Sequence, residues 1–291
     1  MNGPLNPSYS GPYTSALSRI RASSFPSLSL PGSPSKSVGM MPQNIYDNPA
    51  FFNSYAHLPR SQHGLSAAPE WPRLRSMVLG DETNMKEFHV LDLGCGYGWF
   101  CRWAVEEGLA ARVHGIDLSE KMLDRAREMT PSTYGITYQQ SDLDTVQLEK
   151  QAYDVVYSSL TFHYLRDLGR LFHSVHEALK ENGRFVFSIE HPVYTSPKEE
   201  KWHRSESGEE FWLLNEYGNE GERIRNWLGE DVRKYHRTTQ TYLSHLIRNK
   251  FSLVDYVEWM PSDRDLEMHP EWAAERHRPA FLLIAVEKGR G

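Results

Sequence analysis

Hydrophobic positions along the chain alternate between short apolar runs and longer amphipathic stretches, the pattern of strands interleaved with helices. Val90-Leu91-Asp92-Leu93 reads as a buried strand, and Trp99 to Glu107 follows with helical character. His114 to Leu118 reads as the end of a second strand, Ile136 to Gln140 as a third and Tyr153 to Leu160 as a fourth. Leu168 to Leu179 has the spacing of an amphipathic helix, and Asn182-Gly183-Arg184 turns the chain into a fifth strand, Phe185 to Ile189. Beyond that, Thr239 to Arg248 reads as a helix, and Phe251 to Trp259 and Ala280 to Glu287 as strands. Two helices are expected ahead of the first strand. Asn48-Pro49 starts one that runs from Ala50 to Leu58, and Trp71, Leu74, Val78 and Leu79 mark one face of another from Ala68 to Leu79. Strand and helix in alternation imply an α/β fold with a largely parallel sheet.

Two segments break the pattern. Residues 1–46 are rich in Ser, Pro and Gly, carry Arg19, Arg21 and Lys36, and contain no Asp or Glu. They are expected to form a disordered extension, with residues 47–288 as the folded domain. An acid-free, Ser-rich segment also suits a transit peptide, but its prolines break any long amphipathic helix. Residues 191–235 place Trp202, Phe211, Trp212, Tyr217, Trp227 and Tyr235 among many charges. That stretch is expected to be a substrate lid or short hairpins over a pocket, the alternative being a surface excursion packed on the sheet.

The chemistry concentrates at Asp92-Leu-Gly94-Cys-Gly96-Tyr-Gly98, directly after the first strand. Glycines at 94, 96 and 98 allow a sharp turn and a close backbone approach to a ligand, and the following helix turns its N-terminal amides toward it. A dinucleotide fingerprint requires G-x-G-x-x-G, and its last position is Trp99 here. Asp117 lies twenty-five residues beyond Asp92, at the end of the second strand. An open sheet presents an acid there to ribose hydroxyls, although an N-cap role is also open to it.

The acid–glycine loop, followed in order by His114–Ser119, Ser141-Asp142-Leu143, Tyr153–Leu160 and the Leu-Lys-Glu-Asn-Gly-Arg-Phe turn, resembles class I S-adenosylmethionine-dependent methyltransferases of the small-molecule, type 11 branch. The sharp motifs span residues 88–190 and the resemblance extends over 46–288. It implies a Rossmann-like seven-stranded sheet with helices on both faces, accessory helices over the cofactor, and S-adenosylmethionine as cofactor. Carried over position by position, it assigns Asp92, Gly94, Gly96, Gly98, Asp117, Leu118, Met122 and Ser158 to the cofactor site. Asp142 would take the adenine amino group and Leu143 would pack on the ring. Arg60 would pair with the cofactor carboxylate, supported by Tyr55. The activity implied is methylation of a small, aromatic or heterocyclic metabolite at O or N, with secondary metabolism a natural setting. A catalytically silent binding protein or regulator on the same fold is the alternative, and a nicotinamide oxidoreductase is disfavoured by the glycine spacing.

Catalytic candidates belong beyond the carboxyl ends of the fourth and fifth strands. His191, between Glu190 and Pro192, is the leading general base, or else a histidine bonded to a lid carbonyl. His163 follows the fourth strand and is expected to line the adenosine edge. Ser158-Ser-Leu-Thr161 replaces the Asn/Asp-Pro-Pro-Tyr of enzymes that methylate nucleobase or glutamine amino groups, and no Pro-Cys nucleophile is present. A net charge of −6 and a pI near 6.1 argue against a nucleic-acid partner. No run approaches the roughly 20 apolar residues of a membrane span. Cys95 and Cys101 have no metal spacing and read as small buried fillers, His173 and His176 lack a third ligand, and no metal is expected. A cytoplasmic monomer or homodimer acting on a small molecule is the expectation.

Overall fold

The computed structural model describes residues 43–289. The expectation for residues 1–42 lies outside them. Residues 43–46, which the sequence pattern assigns to the extension, are folded: Ile45–Asp47 forms a 3₁₀ turn that leads into α1, Pro49–Ala56. Asn48 caps this helix, its side-chain oxygen accepting from the amides of Ala50 and Phe51 at 2.9 and 3.2 Å, and Pro49 presets the first turn. The short α2, Pro59–His63, and then α3, Trp71–Leu79, complete the N-terminal layer.

The core follows in strict alternation. β1, His89–Leu93, is joined through α4, Trp99–Glu106, to β2, Arg112–Asp117, and through α5, Glu120–Glu128, to β3, Ile136–Gln140. The chain then returns to β4, Tyr153–Ser159, and runs through α6, Leu168–Ala178, into β5, Leu179–Glu190. After the single turn α7, Pro192–Thr195, come two antiparallel hairpins: β6, Trp202–Arg204, with β7, Glu210–Trp212; and β8, Gly221–Trp227, with β9, Glu230–His236. The domain closes with α8, Thr239–Arg248, β10, Phe251–Trp259, α9, Asp263–Met268, and β11, Phe281–Lys288.

The seven-stranded sheet has the order β10-β11-β5-β4-β1-β2-β3, with β11 antiparallel to both its neighbours. Because β1 leads outward one way and β4 the other, a crevice opens beyond their carboxyl ends. Both faces of the sheet are buried. Leu91, Leu93, Phe185, Phe187 and Ile189 face α6 and α8, while Val90, Val113, Val155 and Val186 face α3, α4 and α5. This period of two, buried on both sides, explains why the strands read as continuous apolar runs. Among the described residues no helix is long and apolar enough to cross a membrane.

The aromatic-rich 191–235 stretch divides into two parts with different tasks. The β8–β9 hairpin turns Trp227 and Tyr235 toward the crevice. The β6–β7 hairpin does not reach it. Its Trp202 and Trp212, with Tyr194, surround the fully buried Arg278 guanidinium at 5.2, 4.4 and 4.4 Å from the ring centroids. Arg278 also donates to both oxygens of buried Glu275 at 2.7 Å. Removal of the guanidinium strands a buried carboxylate and empties the aromatic cage, so Arg278→Ala is expected to destabilise the fold by about 3–5 kcal/mol. Chemical denaturation measures it, and a loss under about 1 kcal/mol, the level of an exposed pair, would show that the cage contributes little.

Candidate active site

The crevice holds a cavity of about 850 Å³, large enough for a cofactor and a small second molecule. Its floor is the β1–α4 loop. Gly94, Gly96 and Gly98 have φ of +75°, +52° and +68°, the left-handed region that other residues avoid. A Cβ at Gly94 would lie 2.2 Å from Thr161 and one at Gly98 2.3 Å from the Tyr138 hydroxyl. At Gly96 it would meet nothing within 4 Å. Two glycines serve packing, and the third opens onto free space.

Asp117, at the end of β2, closes the loop. Its Oδ2 accepts from the Gly96 amide at 2.8 Å and its Oδ1 from the Ser119 amide at 2.9 Å. The N-cap of α5 is Ser119, whose hydroxyl accepts from the Met122 amide. Asp117 is therefore no helix cap, and its carboxylate borders the cavity. Burial pushes its carboxyl up against these backbone donors. Asp92, buried beneath the loop, accepts from the Cys101 thiol at 3.3 Å, and burial pushes its carboxyl up to about 7. Burial likewise raises both thiols, Cys101 to about 11, so neither is a ready nucleophile.

Leu118, Met122, Asp142 and Leu143 border the same cavity, with Asp142 also accepting from the Asp144 amide at 2.8 Å. Tyr55 and Arg60 enter from the N-terminal layer, but Arg60 is engaged with the buried Glu70 at 2.7 and 2.9 Å. An incoming carboxylate would share that guanidinium with Glu70. Ser158 is a correction. Its hydroxyl donates to the Leu93 carbonyl at 2.7 Å, away from the cavity, and its neighbour Ser159 borders the cavity instead, because alternate residues of β4 face opposite sides.

Only one of the two candidate histidines borders the cavity. His191 caps α7: its Nδ1 accepts from the Val193 amide at 3.0 Å, and its Nε2 donates to Glu258 at 3.0 Å. Both ring nitrogens are engaged and the ring lies outside the cavity wall, so the structure corrects its assignment as the base. Pro192 ends the strand and directs the chain, and with it this imidazole, toward β10. His163 does border the cavity, 1% exposed, with no hydrogen-bond partner on Nδ1. Burial pushes its imidazole down to about 4 against the pull of Glu190, so it is neutral near pH 7. Arg237 and His236 are structural, Arg237 donating to the carbonyls of Phe162, Leu165 and Arg166 and His236 contacting Thr195.

Two contributors escaped the sequence reading. Asp47 accepts from the Ser119 hydroxyl at 2.5 Å and the Lys121 amide at 3.2 Å, which lays residues 43–46 across the cavity as a strap. Glu190, at the end of β5, lines the opposite wall. An acid terminating the mainly apolar Phe185–Ile189 run was its visible signal, and the adjacent histidine obscured it. No cluster of His, Cys, Asp and Glu among the described residues is arranged to hold a metal ion.

A sheet with its switch-point crevice, an acid–glycine loop and a carboxylate at the end of β2 are the features of a nucleoside-binding enzyme of the methyltransferase type. Residues 91–187 match the family model described as a methyltransferase domain. The chain is 46% identical to an S-adenosylmethionine-dependent methyltransferase from Mesorhizobium loti, covering 77% of this chain and 100% of that one with a TM-score of 0.72. It is 36% identical to an uncharacterized protein of Haemophilus influenzae over 84% of this chain and 97% of that one. A malonyl-[acyl-carrier protein] O-methyltransferase of Ilyobacter polytropus is 27% identical over 35% of this chain and 38% of that protein. The chain belongs to the S-adenosylmethionine-dependent methyltransferases, and S-adenosylmethionine is its cofactor. The open space at Gly96, flanked by a carboxylate with lone pairs to spare, fits that molecule.

Two outcomes follow from this geometry. Gly96→Val places a branched side chain in the open space and strains a positive φ; the protein is expected to fold yet lose S-adenosylmethionine binding. Normal calorimetric titration of a folded variant would refute the loop's role. The second concerns pH. A cationic cofactor favours ionised Asp92, so affinity for S-adenosylmethionine should rise as pH increases toward about 7 and level off above it, whereas that for S-adenosylhomocysteine, which lacks the sulfonium charge, should change little. Asp92→Asn should abolish the difference, and identical pH profiles for the two ligands would contradict it.

Proposed function

We propose that the enzyme methylates a hydroxyl of a small aromatic or heterocyclic acceptor, with His163 as general base. The observation that carries this reading is His163, a neutral imidazole that borders an aromatic-lined cavity and whose buried Nδ1 has no hydrogen-bond partner. Tyr46, Tyr164, Trp227 and Tyr235 border the same space and suit a flat molecule. Asp92, Gly96, Asp117, Asp142 and Leu143 would hold the cofactor, whose sulfonium supplies an activated methyl group. The protein's residues then align the acceptor, exclude water and receive its proton. The bond to oxygen forms as the sulfonium bond breaks, and the hydroxyl proton passes to His163 Nδ1. The O-methyltransferase among the relatives supports an oxygen acceptor, and the lack of an Asn/Asp-Pro-Pro-Tyr motif weighs against a nucleobase amino group.

Incubating the protein with isotope-labelled S-adenosylmethionine and a metabolite pool, read by mass spectrometry, identifies the acceptor. At saturating cofactor, His163→Ala should lower turnover by ~10²–10⁴, the range of a general base. His191→Ala should leave turnover near wild type while reducing stability, because it uncaps α7 and unpairs Glu258. Wild-type turnover in His163→Ala would exclude the base and point to an acceptor that is only positioned.

A further inference from the structure

Beside His163 lies a buried pair of charges, Glu190 and Lys234. Glu190 ends β5 with one oxygen engaged and one not: Oε1 accepts from Lys234 Nζ at 2.6 Å, while Oε2 is buried without a hydrogen-bond partner. That oxygen stands 3.9 Å from His163 Nε2. Lys234 is itself 5% exposed, on β9, with its ammonium 5.6 Å from the Trp227 ring. An ion pair built only for stability would engage both oxygens, because an unpaired buried one forfeits a hydrogen bond. Here the unpaired oxygen faces the ring nitrogen opposite the one that is itself unpaired. A shift of about 1 Å completes a Glu–His hydrogen bond, the kind of tightening that catalytic pairs undergo when a ligand binds.

We propose that Glu190 and Lys234 are positioning residues for His163. Glu190 accepts a hydrogen bond from Nε2–H and so leaves Nδ1 as the proton acceptor, and Lys234 keeps Glu190 ionised. The inference rests on the reading of His163 as the base and adds the two residues that make it effective. A neutral imidazole in a desolvated wall is a weak base unless a carboxylate meets the positive charge as it forms. Glu190 can do so because its own charge is secured: burial pushes its carboxyl up, but Lys234, together with His163 and Arg225, holds it below the usual range. The other charges facing the imidazole are accounted for. Arg237 follows β9 and lowers the imidazole together with Lys234, whereas Glu190 raises it. Glu200 and Arg225 pair at 2.7 Å beyond Lys234. As the proton moves from the acceptor to Nδ1, the Nε2 proton stays on the ring, shared with Glu190, so no proton leaves the pair.

The test is NMR of ¹⁵N-histidine- and ¹³C-glutamate-labelled protein saturated with S-adenosylhomocysteine. Wild-type His163 should be neutral with its proton on Nε2. Glu190→Gln should shift the ring toward the Nδ1–H tautomer and lower its titration midpoint by about one pH unit. Lys234→Met should raise the Glu190 midpoint by a similar amount, a change that loss of a merely structural contact elsewhere would not cause. Once the acceptor is identified, Glu190→Gln should lower kcat by about 10–10²-fold with KM for S-adenosylmethionine unchanged. A wild-type Nδ1–H tautomer, or an unmoved His163 midpoint in Glu190→Gln, overturns the pairing even if neither variant alters the fold. If the tautomer and midpoints behave as expected but His163→Ala retains full turnover, the base assignment falls and the positioning role falls with it.

Discussion

The hydrogen bond from the Gly96 amide to Asp117 is the contact on which the site depends. It ties the loop after β1 to the last residue of β2, two segments that the fold leaves side by side at the switch point. Without it, the three left-handed glycines would have no fixed outer end, and the free space over Gly96 would have no defined shape. The same carboxylate steadies the start of α5 through the Ser119 amide, and Ser119 in turn holds Asp47. One acid therefore links cofactor loop, second strand, helix and N-terminal strap. Its retention of charge in a buried site is made possible by backbone donors, which stabilise a carboxylate where solvent cannot.

The chain buries further charges, and their partners show what each is for. Arg278 is matched on both sides, by Glu275 and by an aromatic cage, and it fastens the β6–β7 hairpin to the segment before β11. Glu70 with Arg60 is matched likewise. Glu190 pairs through one oxygen only, and its other oxygen and one nitrogen of its histidine neighbour are buried without a hydrogen-bond partner. An unsatisfied carboxylate oxygen 3.9 Å from an imidazole beside a cavity is the kind of gap found where a ligand is bound or a proton moved. The aromatic-rich insertion follows the same division, one hairpin caging Arg278 and the other bordering the cavity.

Much of this was legible in the sequence because it depends on local chemistry. Apolar runs of four to six residues become strands covered on both faces whatever lies around them, and Asn48-Pro49 and Ser119 set helix starts from a few consecutive residues. The D-x-G-x-G-x-G spacing required a turn with positive φ, and Asp117 fell at the end of its strand by simple counting. The roles of individual side chains were less accessible. Ser158 and Ser159 differ only in which side of β4 they face, and that register is set by pairing with β1 and β5. His163 and His191 are both histidines beyond a strand end, and only the path of Pro192 and the place of Glu258 decide which of them meets the cavity. Glu190 and Lys234 are 44 residues apart, and Asp47 and Ser119 are 72 apart. What the sequence by itself determined was the fold, the cofactor loop and the family, since each is written in short-range periodicity and spacing. Which imidazole borders the cavity, which carboxylate stands near it and what lies across the cavity were decided only by tertiary structure, because those contacts join distant segments whose meeting no local pattern encodes.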